Sequence, residues 1–314
     1  MSQTIIRIKP SGRLANLMSQ LMFADDIKRR CRQPIKIEGY DMPEWSLSEP
    51  ASDTLSSGIT IASHLTRVAP CALMIDRFKP HLVDLDRPIF RFGCHGNLEN
   101  YYNLFPESEP VVKIPDDHLL IHIRAGDVST LTHDKYGPLP TRYYEYLLAQ
   151  TGLRPIFIGE LGSNPYIDAL RTTLPKAELV GGASAITDFQ IIRSAKNVAL
   201  SVSSFSWMAT FLSTKTRQIH LPLAGHFDPA DEPTSDFLPL NDIRYIFHNV
   251  SRQAWSQRYE NPIGPRDGFS IASQASVKAL KRSAVLRTMK QSVKIHGGLL
   301  KRMAGLHAPQ LRSE

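Results

Sequence analysis

The segment NVALSVSSFSW, residues 197–207, shows how much of the chain is organised: an apolar run ends in serines and leads into an apolar, helix-like stretch. Comparable apolar runs occupy residues 119–124, 155–159 and 217–222, and helix-like segments separate them. Strands that alternate with helices, here with starts about 20 to 40 residues apart, are typical of a parallel sheet. The sequence therefore predicts an α/β fold.

The chain on either side of this region is less regular. Residues 4–9 (TIIRIK) predict a strand, and residues 14–30 predict a helix because their apolar positions recur at helical spacing. Between residues 39 and 110 the pattern assigns no clear elements. Residues 251–268 are polar and predict a linker, and residues 275–304 predict a basic helix.

Composition excludes several classes of protein. The 314 residues predict about two domains, and 42% hydrophobic and 21% charged residues are typical of globular proteins. The longest apolar runs fall short of a membrane-spanning helix, and Arg7, Lys9 and Arg13 interrupt the N-terminus where a signal peptide needs an apolar core. Three widely spaced cysteines predict reduced thiols, so we expect a cytoplasmic protein.

The net charge of +7 is concentrated at one end of the chain. Nine of the 37 Lys and Arg residues but only one of the 30 acids lie in residues 268–314, so the remainder carries a charge close to −1. No nucleic-acid recognition motif accompanies the charge, and we expect no nucleic-acid partner. The basic tail predicts either a peripheral contact with anionic lipid at the inner face of a membrane or a solvated extension.

Two strand ends carry residues suited to binding an anion. Arg124 is the last residue of the run 119–124, and an arginine there can form paired hydrogen bonds with phosphate. Ser203 to Ser206 follow the run 197–202 at a helix start, where free backbone amides and the helix dipole favour an anion. Together they predict a diphosphate site. The alternatives are an Arg124–Asp127 surface pair and serines that only cap the helix.

Three motifs resemble those of the fucosyltransferase superfamily, which includes bacterial α1,2-fucosyltransferases and protein O-fucosyltransferases, and they follow one another along the chain in the same order as there. HIRAGD, His122 to Asp127, resembles the superfamily's HxRRxD signature. SSFSW, Ser203 to Trp207, is similar to the SSFSWW segment of the α1,2 enzymes, and a DxxxxRxA-like stretch from Asp188 precedes it. GRLAN, Gly12 to Asn16, is similar to their N-terminal GRLGNQMFQ.

The resemblance implies a GT-B fold, with two Rossmann-like domains whose parallel sheets face a cleft. It implies an inverting transfer of L-fucose from GDP-fucose to a glycan hydroxyl, as in polysaccharide biosynthesis, with no metal and no other cofactor. The partners would be a nucleotide sugar and a glycan acceptor. On this model residues 1–112 form the acceptor-side domain, 113–250 bind the donor, and 251–314 are linker and tail.

The resemblance also implies roles for individual residues. Arg124 would hold the β-phosphate, His122 would shape the donor pocket, and Asp127 would fix the loop or orient the arginine. Further donor contacts are implied for Asn16, Asp188, Ser204, Phe205 and Ser206. A base for the acceptor hydroxyl is still needed, and the candidates are Asp127, His133 and Asp134.

The sequence departs from the superfamily pattern at Ala125, which replaces the second arginine. One cation fewer leaves two alternatives open: a related transferase that uses another nucleotide sugar, or a non-catalytic protein that binds a sugar or nucleotide. Asp84-Leu85-Asp86 matches the DxD of metal-dependent transferases, but two acids at this spacing are common, and we predict no metal site.

Overall fold

The computed structural model describes residues 3–52, 58–63, 65–90, 98–126 and 134–305. The chain divides into two compact units. The first comprises Met1–Pro106, Thr234–Asp236 and Val285–Glu314, and the second comprises Glu107–Pro233 and Phe237–Ala284. Each unit contains a sheet with parallel strands and packed helices, which confirms the predicted α/β class.

The first unit is built on a four-stranded sheet. Its elements are β1 (Thr4–Ile8), α1 (Leu14–Arg30), β2 (Ile35–Glu38), β3 (Tyr40–Met42), β4 (Leu47–Glu49), β5 (Ile59–Ile61), α2 (Val68–Phe78), β6 (Leu82–Leu85) and α3 (Glu99–Leu104). The sheet order is β2-β1-β6-β5 and every pairing is parallel, while β3 and β4 form a separate antiparallel pair. The predictions of β1 and α1 are confirmed.

Gln20 joins the ends of the two central strands of this sheet. Its side-chain nitrogen donates to the carbonyls of Lys9 at 2.9 Å and Leu85 at 3.0 Å, and its oxygen accepts from the Ser11 amide at 3.2 Å. Because Gln20 is fully buried on α1, it satisfies backbone groups that water does not reach. This contact fixes the loop that follows β1 and carries the GRLAN motif.

We expect Gln20→Ala to lower the free energy of unfolding by about 2–3 kcal/mol, because a buried polar group left unpaired costs about 1–3 kcal/mol. Urea-induced unfolding measures the change. Arg30→Ala, at the exposed end of the same helix, serves as the control and should change stability by less than about 0.5 kcal/mol. Equal effects of the two substitutions would contradict this role for Gln20.

The second unit contains a seven-stranded sheet. Its elements are β7 (His118–Ile123), α4 (Thr141–Thr151), β8 (Arg154–Gly159), α5 (Pro165–Thr173), β9 (Glu178–Leu179), α6 (Ala185–Ser194), β10 (Asn197–Ala199), α7 (Ser204–Phe211), β11 (Gln218–Leu223), β12 (Tyr245–Val250), α8 (Arg252–Ser256) and β13 (Phe269–Ile271). The final helix, α9 (Gln274–Gly305), begins in this unit and ends in the first. The sheet order is β13-β12-β11-β10-β7-β8-β9, with only β13 antiparallel.

This strand order is that of a doubly wound fold. The first strand, β7, is central; β8 and β9 lie on one side of it, and β10, β11 and β12 lie on the other. All six residues of β7 are buried, as expected for a strand with helices on both faces of its sheet. A crevice for ligands forms in such folds where the strand order reverses, which here is between β7 and β10.

The segment after residue 250 differs from the predicted linker and tail. Trp255 on α8 is buried in the core of the second unit, and β13 pairs with β12, with Val250 opposite Phe269. The helix predicted at 275–304 is confirmed as α9. Long-range pairing explains the difference, because a three-residue strand has no local pattern that distinguishes it from a loop. Among the described residues, no helix is both long and apolar enough to cross a membrane.

Candidate functional site

The end of β7 and the end of β10 lie side by side at the point where the sheet order reverses. Leu120 is opposite Val198 and Ile121 is opposite Ala199, in parallel pairing. Arg124 directly follows β7, and Ser203 follows β10 and caps the start of α7. The tertiary structure thus brings the two predicted anion-binding segments to neighbouring strands of one sheet within one unit.

Glu160 holds the Arg124 side chain from the next strand. The Arg124 Nε lies 3.6 Å from the Glu160 Oε2, and the same oxygen accepts the Gly126 amide at 2.8 Å. The arginine side chain remains 21% exposed, so a ligand can still reach it. Sequence reasoning missed Glu160, although its position directly after the predicted strand 155–159 was an available signal.

His122 is buried on β7 and links this strand to β10. Its Nδ1 lies 2.6 Å from the hydroxyl of Ser201, which follows β10. Burial, together with the smaller effect of the nearby positive charge of Arg124, lowers the pKa of His122 to about 3. The imidazole is therefore neutral near pH 7, which suits a positioning residue and not a group that gains and loses a proton. Ser201 was not predicted as part of the site.

The imidazole of His122 is enclosed on more than one side. The ring of Phe205 lies 5.6 Å from it, between centroids. Gly159, at the end of β8, adopts a φ of +115°, and a Cβ there would lie 2.4 Å from the Ile123 carbonyl oxygen and 3.1 Å from the His122 ring. Only glycine combines this backbone conformation with so close an approach. His122 is thus tightly enclosed between β7 and its neighbours.

The start of α7 is capped from within. The Ser203 hydroxyl accepts the Phe205 amide at 3.3 Å, and the buried Ser206 hydroxyl donates back to the Ser203 carbonyl at 3.4 Å. Ser204 and Phe205 are partly exposed. The hydroxyl of Ser206 is therefore bonded within its own helix. A ligand can reach Ser204, Phe205 and the helix N-terminus, and a helix N-terminus favours an anion.

Asp188 stabilises a glycine loop after β9. One of its oxygens accepts the Gly182 amide at 2.8 Å, and it packs so closely on Gly181 that a Cβ there would lie 2.4 Å away. Burial raises the pKa of Asp188, and the bond from Gly182 opposes this increase. Its observed role is to shape the loop at the carboxyl end of β9, the same edge of the sheet as Arg124.

Tyr136 lies within electrostatic range of Arg124 and was not predicted. Burial and the charge of Glu232 raise the pKa of Tyr136, while the positive charge of Arg124 lowers it, with a net increase. The ring packs beside His226 at 5.1 Å between centroids, and the residue is 37% exposed. Tyr136 therefore offers an aromatic edge and a neutral phenol near the arginine.

The remaining predicted site residues lie elsewhere or outside the described chain. Asp127 and His133 are not among the described residues. Asp134 is exposed, and its carbonyl accepts from the Trp255 indole at 2.9 Å. Asn16 belongs to the first unit, where its side chain lies directly against Gly12, which has a φ of +82°.

The DxD-like pair has a structural explanation. The buried Asp84 carboxylate contacts Arg7 at 2.7 Å and Lys9 at 3.0 Å, and both of its oxygens are engaged. These two cations occupy the carboxylate oxygens that a metal ion would need as ligands. Within the described ranges, no cluster of three or more His, Cys, Asp or Glu residues is suited to a metal ion.

Comparison of the chain with known proteins found no relative. No model of a known protein family matches the chain, and no curated protein matches its sequence. The features of the chain that bear on its function are therefore the three motifs and the geometry of the second unit.

Proposed function

We propose that the protein is a glycosyltransferase whose second unit binds a nucleoside diphosphate sugar at the ends of β7 and β10. The observation that carries the proposal is the position of Arg124 and the α7 N-terminus on adjacent strands where the sheet order reverses. Doubly wound sheets bind nucleotides at this point, and an arginine beside a helix N-terminus suits a diphosphate.

In this mechanism the chain stabilises the leaving diphosphate. Negative charge grows on it as the glycosidic bond breaks, and Arg124, oriented by Glu160, neutralises that charge at the β-phosphate. Ser204, Phe205 and the start of α7 provide the second contact. His122 is neutral and bonded to Ser201, so it adds no charge of its own to the site. Asp127, His133 and Asp134 remain the candidates for the base that accepts the acceptor proton.

The GT-B architecture is part of the same proposal. The parallel sheet of the first unit would form the acceptor-side domain, with Asn16 directed to the donor sugar. Support comes from the loop after β1, where Gln20 bonds to the carbonyls of Lys9 and Leu85 and the Asn16 side chain lies against Gly12. L-fucose carried on GDP is the donor that the motif resemblance favours.

A second candidate donor is another nucleotide sugar, and Ala125 is the observation that favours it. Ala125 is fully buried in the core of the second unit, and its carbonyl accepts from Asn164 at 3.1 Å. The position that carries the second arginine in the superfamily signature therefore supplies no cation here. Fewer contacts to the nucleotide would relax the preference for GDP.

Thermal denaturation with nucleotides tests the proposal. We expect GDP to raise the melting temperature more than UDP or dTDP, since a ligand at about 100 times its Kd stabilises the folded state by about 2.7 kcal/mol. Release of GDP from GDP-fucose in the presence of glycan acceptors then measures transfer. AMP, which lacks a diphosphate, is the control ligand.

The outcomes separate the alternatives. If only UDP or dTDP raised the melting temperature, the donor would be a nucleotide sugar other than GDP-fucose. Binding of GDP without turnover on any acceptor would favour the non-catalytic reading. If no nucleoside diphosphate stabilised the protein, the site itself would be rejected.

A further inference from the structure

The last helix, α9, carries a row of exposed apolar side chains. Four of them are exposed by 71%, 55%, 68% and 45%: Leu286, Met289, Val293 and Leu300. They are three, four and seven residues apart, so they share one face of the helix. Single exposed apolar residues are ordinary, but a continuous row on one helix face is not.

A basic residue directly follows each member of this row. The pairs are Leu286-Arg287, Met289-Lys290, Val293-Lys294 and Leu300-Lys301. Successive helical residues are about 100° apart, so the four bases form a second row beside the apolar one. All four bases are exposed, and α9 contains no acidic residue.

A different face of α9 fixes the helix to the first unit. Thr288, Ser292, Leu299 and Met303 are buried on this face. The Ser292 hydroxyl donates to the Leu65 carbonyl at 3.3 Å, and the Arg67 amide donates to the His296 Nε2 at 3.2 Å. At about 100° per residue, the apolar row lies about 100° around the helix from this packed face and the basic row about 160°, so both rows are exposed beside it.

We propose that this face of α9 docks on the surface of an anionic lipid bilayer. An apolar row beside a basic row is the arrangement of interfacial helices, in which apolar side chains enter the headgroup region and lysines remain at the phosphates. Charge complementarity selects this occupant. A second copy of the face would bring basic rows together, and a nucleic acid would leave the apolar row without a partner.

Sedimentation of the full-length protein with vesicles tests the proposal. We expect binding to vesicles of phosphatidylcholine with about one third phosphatidylglycerol, and at least about tenfold weaker binding to phosphatidylcholine alone. Leu286→Gln, Met289→Gln and Val293→Gln together should weaken binding by about tenfold or more, because glutamine keeps helix propensity but removes apolar area. Lys290→Gln, Lys294→Gln and Lys301→Gln together should weaken it by about 100-fold, at about 1 kcal/mol for each lysine.

Two matched triple variants control for apolar area and net charge. The first replaces exposed apolar residues elsewhere, namely Leu73→Gln, Val111→Gln and Ile243→Gln. The second removes three exposed lysines outside α9, namely Lys113→Gln, Lys176→Gln and Lys215→Gln. Both should bind as the wild type does, and circular dichroism should show unchanged helix content in all four variants.

Several results would overturn the proposal. The protein could bind neutral and anionic vesicles equally, or bind neither. Alternatively, a control variant and its α9 counterpart could lose vesicle binding to the same extent. Retention of binding by the apolar variant with loss in the lysine variant would identify a surface that binds polyanions by charge alone. Concentration-dependent dimerisation abolished by the apolar substitutions, without vesicle binding, would assign the face to a second copy.

Discussion

Arg124→Ala should reduce sugar transfer by about 100- to 1,000-fold, because loss of one preplaced group that stabilises developing charge costs about 3–4 kcal/mol in the transition state. Binding of the nucleoside diphosphate should also weaken. The fold should be retained, since the side chain is partly exposed and its ion-pair partner, Glu160, remains bonded to the Gly126 amide. Turnover of GDP-fucose and the nucleotide-induced melting shift measure the two effects.

Two further variants sharpen this test. Arg171→Ala removes an exposed arginine from α5 in the same unit and should leave turnover unchanged. Glu160→Gln keeps the shape of the side chain that orients Arg124 but removes its charge, so its loss of turnover should be smaller than that of Arg124→Ala. Wild-type turnover in Arg124→Ala would exclude Arg124 from the chemistry.

Acid should destabilise the second unit strongly, because three of its histidines are buried in the neutral form. The Nδ1 of His220 and the Nε2 of His248 are 3.0 Å apart, and the His248 Nδ1 is 3.3 Å from the Tyr146 hydroxyl. Burial lowers the pKa of His220 to about 4. Burial and the neighbouring His220 lower that of His248 to about 3, and His122 is also near 3.

The sign of the effect follows from proton uptake. An unfolded histidine has a pKa of about 6.5, so below that pH the unfolded chain binds protons that the folded unit does not accept, and stability falls towards pH 3–4. Between pH 7 and pH 5 we expect a loss of about 2 kcal/mol in the free energy of unfolding for each histidine. Urea-induced unfolding at both pH values measures it.

His248→Gln should reduce this pH dependence by about 2 kcal/mol, whatever its effect on absolute stability. Phe247→Leu alters packing on the same strand without removing a titrating group, so it should shift stability equally at both pH values. If the wild type and His248→Gln lost the same stability between pH 7 and pH 5, the histidine pair would not be the cause.

Prediction from sequence succeeded where the local pattern is strong. The helix 14–30, the strand that delivers Arg124 and the serine-led helix α7 are all visible as periodicity, capping or apolar runs. It failed between residues 39 and 110 and in the predicted linker after residue 250. There the strands have as few as three residues, and long-range pairing stabilises them. Glu160 and Ser201 were missed because each is remote in sequence from the residue it contacts, Arg124 and His122 respectively.

By itself, the sequence determined the α/β class, the two segments that we predict to bind an anion, and the concentration of positive charge in the last residues. These features depend on side-chain order along the chain, through periodicity, capping and charge. Tertiary structure alone decided that Arg124 and α7 lie on adjacent strands, that His122 is buried and neutral, and that α9 directs an apolar row outward. Each of these depends on which surfaces are removed from water when distant segments pack together, and a linear pattern does not contain that information.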